Sequence, residues 1–221
     1  MTVTDALIAT AKETLYTAVL SDVLDSLGVR DRAMKPAIRP LDDTLILCGR
    51  ARTGFFTEVC HVEEDENPYE LEIALIDSLK PGDVTVFGCG ASKQIAPWGE
   101  LLSTASKMRG AVGAVTDGYV RDVKFIRDMA FPVFHGGIAP LDSRGRGKVI
   151  ARDVPITCSG IRVDPGDMIF GDVDGVVAIP QDMAEQVVAL ALDKVTGENT
   201  TRKELLDGKL LADVYEKYGI L

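Results

Sequence analysis

Long apolar runs and a basic leader are both missing from this 221-residue sequence. No apolar run approaches the roughly 18 residues that a membrane span requires. The N-terminal segment MTVTDALIATAKETL contains acidic residues and no basic stretch ahead of an apolar core, so it does not resemble a secretory signal. We therefore expect a cytoplasmic protein that does not act in a membrane.

Paired cysteines and basic clusters are missing as well. The four cysteines, Cys48, Cys60, Cys89 and Cys158, form no CxxC pair, and we interpret them as small buried thiols. The formal net charge of −10, without a basic run, argues against nucleic-acid binding. An anionic small substrate stays compatible with this charge if an Arg, a metal ion or helix N–H groups reverse the field inside one cleft.

The apolar spacing predicts several amphipathic helices. Between Asp5 and Leu27 it indicates two helices, with Ser21 capping the second and Gly28 ending it. Further helices are expected at residues 69–79, 99–109, 122–129, 181–194 and 201–206. The C-terminal segment VYEKYGIL is predicted to be a tail.

Short β-branched and aromatic segments between these helices predict strands. They are LILCGRARTGFFTEV, VTVFG, AVGAV, FPVF, VIARDVPITCSGIRV and MIFGDVDGVVAIP. We interpret DGYVRD as a turn, HGGIAPLDSRGRGK as a loop, and GDVDG as a turn that connects two strands. The mixture of hairpins and crossovers fits a doubly wound parallel sheet poorly. It indicates an α/β fold with a strand-rich centre.

The stretch WGELLSTASKMRGAVGAVTDGYVRD, residues 98–122, contains the densest set of candidate site residues. The backbone N–H groups at its helix start, on Gly99, Glu100, Leu101 and Leu102, are able to bind a carboxylate or a phosphate. Alternatively, Gly99 only caps the helix and Glu100 only complements the helix dipole. Taken alone, the helix start favours this second interpretation.

Arg121 and Asp122 end the same stretch and supply a fixed cation beside a carboxylate. A helix running out and a strand running back would return this pair to the start of the helix. The pair suits a metal-binding oxygen next to an oxyanion-stabilising guanidinium. The alternative is that Asp122 is an ordinary N-cap and Arg121 a solvated neighbour. Asp117 is a possible further ligand, but Asp-Gly favours a turn.

These residues and their spacing resemble the RraA-like family, which includes the 4-hydroxy-4-methyl-2-oxoglutarate aldolases. The resemblance covers most of the chain, and its sharpest part is an acidic residue, twenty intervening residues, and then Arg-Asp. It implies one domain over residues 1–221, with a central β layer of the swivelling β/β/α type flanked by helices. A helical extension is expected from about residue 181.

The resemblance also implies a function: a metal-dependent pyruvate aldolase, a carbon–carbon lyase. Asp122 would bind Mg²⁺ or Mn²⁺, Glu100 would act through a bound water, and Arg121 would stabilise the enolate. The substrate carboxylate would bind at the helix start. Glu198 is the nearest match to a Glu that reaches the site from a neighbouring subunit, and a homotrimer or homohexamer is expected. Oxaloacetate decarboxylation is expected as a side reaction.

Two departures bear on the substrate. The aldolases more often have Asp where this chain has Glu100, and they have an acidic residue where it has Phe125. The family also contains regulators that bind and inhibit a ribonuclease, so a non-catalytic binding protein is the alternative. A lyase for a different 2-oxo acid is a third possibility.

Overall fold

The computed structural model of the chain describes residues 3–90, 92 and 94–220. Within these residues the helices are α1 (Asp5–Thr14), α2 (Thr17–Ser26), α3 (Glu70–Asp77), α4 (Glu100–Met108), α5 (Val123–Asp128), α6 (Ala184–Leu206) and α7 (Leu211–Tyr218). The strands are β1 (Arg39–Pro40), β2 (Leu47–Glu58), β3 (Asp83–Gly88), β4 (Gly113–Val120), β5 (Val133–Ile138), β6 (Gly147–Arg152), β7 (Ile156–Cys158), β8 (Ile161–Val163), β9 (Met168–Asp172) and β10 (Gly175–Ile179).

A mixed sheet forms the centre of the molecule. Its middle strands β5, β4, β3 and β2 are parallel in that order. On β2, both β9 and β6 pair antiparallel, while β10 pairs with β9 and β1 with β5. The β7–β8 hairpin forms a separate two-stranded sheet. This strand-rich α/β fold is the one that the sequence predicts.

Side chains alternate between the two faces of the sheet, so β3, β4, β5, β9 and β10 each contribute to two apolar clusters. On one face, α1, α2 and α6 pack around Phe170, and α3, α4 and α5 pack around Phe87. On the other face, Val84 and Val86 pack under the β7–β8 hairpin. The second of these clusters, around Phe87, supports the helix start that the sequence singles out.

The prediction that Ser21 caps the second helix is wrong. α2 begins at Thr17, and its first turn is held by Asp172 at the end of β9. One carboxylate oxygen of Asp172 accepts from the Thr17 N–H at 2.8 Å, and the other accepts from the Thr17 hydroxyl at 2.6 Å. The cap comes from a residue distant in sequence, and the GDVDG segment that contains it is the predicted β9–β10 turn. Gly28 lies just past the helix with φ +76°, as predicted.

Four further segments differ from the predictions. DGYVRD is not a turn, since β4 continues to Val120, and HGGI extends β5 to Ile138. The two predicted C-terminal helices are one continuous helix, α6, and the predicted tail belongs to α7 as far as Tyr218, while its last residue, Leu221, lies outside the described residues. Gly197 does not break α6, and its missing side chain leaves space for Ile220, whose Cδ1 lies 2.6 Å from where a Cβ would be.

Two predictions from composition can be compared with the structure. Cys48, Cys89 and Cys158 are buried as predicted, whereas Cys60 is exposed. Among the described residues, no helix combines the length and the apolar content needed to cross a bilayer.

Candidate functional site

The candidate site lies between the end of strand β4 and the start of α4. Trp98, before α4, pairs with Val120 at the end of β4 in a parallel bridge. The Trp98 carbonyl accepts a hydrogen bond from the Arg121 N–H at 3.0 Å. The end of β4 therefore returns to the start of α4, and the two parts of the Trp98–Asp122 stretch meet as their spacing predicts.

A buried hydrogen-bond chain fixes the start of α4. The Trp98 indole Nε1 donates to Ser103 Oγ at 2.8 Å, and Ser103 Oγ donates to the Gly99 carbonyl at 2.9 Å. Gly99 occupies the N-cap position without a side-chain cap. A Cβ at Gly99 would lie 2.7 Å from Asp122 Oδ2, so a glycine is required here by close approach and not by backbone angles.

Asp122 has a left-handed backbone, with φ +59° and ψ +31°. Asp tolerates this conformation better than most residues. Although Asp122 occupies the N-cap position of α5, its side chain makes no cap bond to that helix, so it is not an ordinary N-cap. Its Oδ2 instead accepts from the Glu100 N–H of α4 at 3.3 Å. The left-handed turn thus directs the carboxylate towards the neighbouring helix start.

Arg121 is placed between two carboxylates. Its Nε lies 3.7 Å from Asp122 Oδ2, and one of its terminal nitrogens lies 3.5 Å from Asp142 Oδ1. The Arg121 side chain is 38% exposed, so it is not simply a solvated neighbour. Asp142 lies in the loop after β5 and also accepts from the Tyr69 hydroxyl at 3.2 Å. This network orients the guanidinium.

These side chains surround a cavity of about 300 Å³, which is open on one side. Its polar walls include the Arg121, Asp122 and Asp142 groups just described, and its apolar walls come mainly from α4 and the segment before it. The lining residues are Tyr69, Glu72, Ile73, Ala96, Pro97, Gly99, Leu101, Leu102, Arg121, Asp122, Asp142 and Ser143. The N–H groups of Leu101 and Leu102 are in the first helical turn and have no intrahelical acceptor. The cavity therefore offers a cation and helix N–H donors to an anionic ligand.

Two predicted site residues lie elsewhere in the single chain. The Glu100 side chain is not part of the cavity wall, and its Oε1 accepts from the Thr104 hydroxyl one turn along α4 at 2.9 Å. Glu198 lies on α6, where its carboxylate accepts from the Tyr16 hydroxyl. Glu198 therefore does not line the cavity of its own chain.

The structure adds Glu72 and Asp142, which the sequence reasoning missed. Glu72 lies on α3 and is only 5% exposed. Burial and then the Asp142 carboxylate raise the pKa of Glu72, Arg121 opposes them, and the resulting pKa is about 8. One signal was available: Glu72 precedes Leu75 and Ile76 by three and four residues, which places it on the buried face of α3. Asp142 lies in a loop and has no such signal.

Asp117 is not the turn residue that its Asp-Gly sequence predicts. It lies inside β4 and is buried. Its carboxylate accepts from the Cys89 N–H at 2.5 Å and from the Ser159 N–H at 3.1 Å, which ties β4 to two neighbouring segments. This contact set indicates a structural role.

The donor set can be tested for a divalent cation. Among the described residues, no group of three or more His, Cys, Asp or Glu side chains is placed to hold a metal ion. Mg²⁺, however, keeps several waters and often takes only one or two protein carboxylates together with the substrate. Asp122 Oδ2 is engaged with Glu100, while Oδ1 makes no hydrogen bond to any residue that the structure describes. That oxygen fits a hydrated Mg²⁺ or Mn²⁺ ion.

Known proteins are similar to this chain in sequence and in fold. A family model described as Aldolase/RraA, in the RraA-like group, matches residues 17–178. A Halalkalibacterium halodurans protein named "Putative 4-hydroxy-4-methyl-2-oxoglutarate aldolase" is 31% identical over 91% of this chain and 90% of its own. Protein DlpA of Legionella pneumophila is 28% identical over 91% of this chain, which spans 32% of that longer protein.

A solved structure agrees with these sequence matches. Streptomyces coelicolor RraAS2, described as an unusual member of the RNase ES inhibitor RraA protein family, superposes with a TM-score of 0.80 at 28% identity. The match covers 90% of this chain and 96% of RraAS2. Because the family model spans most of the chain and the fold agrees, this chain belongs to the RraA-like family.

Proposed function

We propose that this protein is a divalent-metal-dependent lyase that cleaves a 4-hydroxy-2-oxo acid, such as 4-hydroxy-4-methyl-2-oxoglutarate, into pyruvate and a second carbonyl product. The observation that carries the proposal is the convergence of Arg121, Asp122 and the first turn of α4 on one cavity. The aldolase name of the Halalkalibacterium halodurans relative supports the same reaction class.

The 2-oxo acid end of the substrate fits the polar side of the cavity. The N–H groups of Leu101 and Leu102 are available to its carboxylate, because helix N-termini bind anions. Arg121 would then face the keto oxygen, held in position by Asp142 and Asp122. Asp122 would hold the Mg²⁺ or Mn²⁺ ion, which when bound supplies Lewis-acid polarisation of the keto group.

The reaction places negative charge next to Arg121. When a water held by Glu100 takes the proton of the C4 hydroxyl, a C4 carbonyl forms and the C3–C4 bonding electrons move into the pyruvate enolate. The enolate oxygen then carries the charge, and a pre-positioned guanidinium stabilises that charge more than it stabilises the neutral ketone. Loss of CO₂ from oxaloacetate leaves the same enolate, so oxaloacetate decarboxylation is proposed as a side activity.

The proposal includes the roles that the family resemblance implies for Glu100 and Glu198. Glu100 would hold a water near Asp122, to which its N–H already donates. Glu198 would enter the site of a neighbouring subunit in a homotrimer or homohexamer. The Asp122 side chain is 42% exposed in the single chain, which is compatible with a site at a subunit boundary.

The test measures pyruvate release from 4-hydroxy-4-methyl-2-oxoglutarate and CO₂ release from oxaloacetate, with Mg²⁺ and with EDTA. Asp122→Asn keeps a residue type that tolerates the left-handed backbone and should lower both rates by about 10²–10³-fold. Asp128→Asn, on the exposed side of α5, is the matched control and should be active. Metal-independent turnover, or full activity of Asp122→Asn, would refute the proposal.

A second candidate function is a non-catalytic regulator that binds a ribonuclease. The similarity to RraAS2 and the net charge of −10, which suits a basic partner, favour this alternative. Ribonuclease capture by the purified chain, combined with no metal binding in calorimetry and no lyase activity, would select it over the aldolase.

A further inference from the structure

Glu72 is a buried carboxyl group on the wall of the proposed active site. It belongs to α3 and lines the same cavity as Arg121 and Asp122. Among the described residues, its Oε2 has no hydrogen-bond partner. An unpaired buried carboxylate is costly, so the site favours the neutral acid.

The two charged groups nearest Glu72 act in opposite directions. From the loop after β5, the Asp142 carboxylate opposes a second negative charge, and from the end of β4, Arg121 favours one. Burial and the Asp142 carboxylate together outweigh Arg121, and the pKa of Glu72 is raised to about 8. Tyr69, just before α3, donates its hydroxyl to Asp142, and Glu72 Oε2 has no hydrogen-bond partner among the described residues. At neutral pH the Glu72 carboxyl group, which lines the cavity, is therefore protonated.

The proposed reaction needs such a proton. Cleavage leaves pyruvate enolate, which becomes pyruvate only when C3 is protonated to a methyl group. We propose that Glu72 is the acid that protonates C3 of this enolate. In this step the Glu72 O–H bond breaks, a C3–H bond forms, and the enolate oxygen returns to a ketone. Water then returns a proton to the Glu72 carboxylate. This inference rests on the proposed function and adds a catalytic residue to it.

The reverse step gives a direct assay. A Glu72 carboxylate would remove a methyl proton from bound pyruvate, so the enzyme should exchange the methyl hydrogens of pyruvate with solvent. We would follow this exchange by proton NMR in D₂O with Mg²⁺, for the wild-type protein, Glu72→Gln and Glu72→Asp. Glu70→Gln is the matched control, because Glu70 lies on the same helix and is exposed. Oxaloacetate decarboxylation is measured in parallel.

We expect Glu72→Gln to lower the exchange rate by at least about 10²-fold, the usual contribution of a general acid or base. The KM for oxaloacetate should change little, and CO₂ release should fall less than exchange does, because carbon–carbon cleavage precedes protonation. Glu72→Asp should restore part of the exchange. The wild-type exchange rate should show an ionisation near pH 8 that Glu72→Gln lacks.

Several results would overturn the inference. Exchange at the wild-type rate in Glu72→Gln would exclude Glu72 as the proton donor, as would equal losses of exchange and decarboxylation accompanied by a large rise in KM. If Glu72→Gln does not fold, a wild-type profile without an ionisation near pH 8 overturns the inference by itself. Wild-type protein that neither exchanges pyruvate nor decarboxylates oxaloacetate would refute the proposed function as well, which separates the two failures.

Discussion

Replacing Glu72 by Gln should change how the stability of the fold depends on pH. In the folded chain, burial and then the Asp142 carboxylate raise the pKa of Glu72 from 4.5 to about 8, with Arg121 opposing them. The folded state therefore keeps a proton that the unfolded state releases. The stability linked to this proton is fully present below about pH 4.5 and is lost as the pH rises through about 8.

The size of the effect follows from the same shift. Each unit of pKa difference corresponds to about 1.4 kcal/mol, so ionising Glu72 in the folded state costs about 3–5 kcal/mol. Gln has nearly the shape of the protonated acid and cannot ionise. Glu72→Gln should match the wild type within about 1 kcal/mol near pH 5 and exceed it by several kcal/mol near pH 9.

Urea denaturation between about pH 5 and pH 9 measures this difference, at a fixed protein concentration because oligomer stability depends on concentration. Glu70→Gln, exposed on the same helix, should follow the wild-type curve throughout. If the wild-type and Glu72→Gln curves run parallel across this range, Glu72 does not ionise in the folded protein and the reasoning is refuted. This experiment requires no substrate, so it tests the burial of Glu72 independently of any activity.

Three other substitutions test separate parts of the structure. Gly99→Ala places a methyl group 2.7 Å from Asp122 Oδ2, so it should displace that carboxylate and weaken Mn²⁺ binding in a calorimetric titration, with little effect on unfolding. Asp117→Ala leaves two buried N–H donors without their acceptor and should lower the free energy of unfolding by about 2–5 kcal/mol in urea titrations. A mixture of the Glu198→Gln and Asp122→Asn variants should regain lyase activity through hybrid oligomers, whereas each variant alone stays inactive. If the mixture also stays inactive, Glu198 does not belong to the site of a neighbouring subunit.

The sequence predicts the part of the site that is built locally. Gly99, Arg121 and Asp122 lie within one helix–strand unit, and a helix followed by a returning strand brings them together whatever the rest of the chain does. The left-handed backbone of Asp122 was not predictable, because it depends on how β4 enters α5. That turn is what directs the carboxylate to α4.

Non-local contacts account for the failures. The cap of α2 comes from Asp172, which is 155 residues from Thr17, so a local search selects Ser21 instead. The Asp-Gly sequence alone predicts a turn at Asp117. The Cys89 and Ser159 N–H groups that donate to its carboxylate belong to other segments, so a local pattern does not reveal them. Glu72 belongs to no sequence motif. Its raised pKa depends on its burial and on Asp142, which lies in a loop distant in sequence. Each of these carboxylates acts through contacts that only the folded chain provides.

The charges of the cavity bear on how an acidic site would bind an anionic substrate. Its described lining contains three acidic side chains, Glu72, Asp122 and Asp142, and a single cation, Arg121. An anionic 2-oxo acid would be repelled if all three acids were ionised and unpaired. Asp142 is paired with Arg121, and Glu72 is neutral at pH 7 because of its burial. That leaves the Asp122 carboxylate, whose charge a divalent cation would reverse, so the same ion that polarises the keto group also makes the acidic cavity able to accept its substrate.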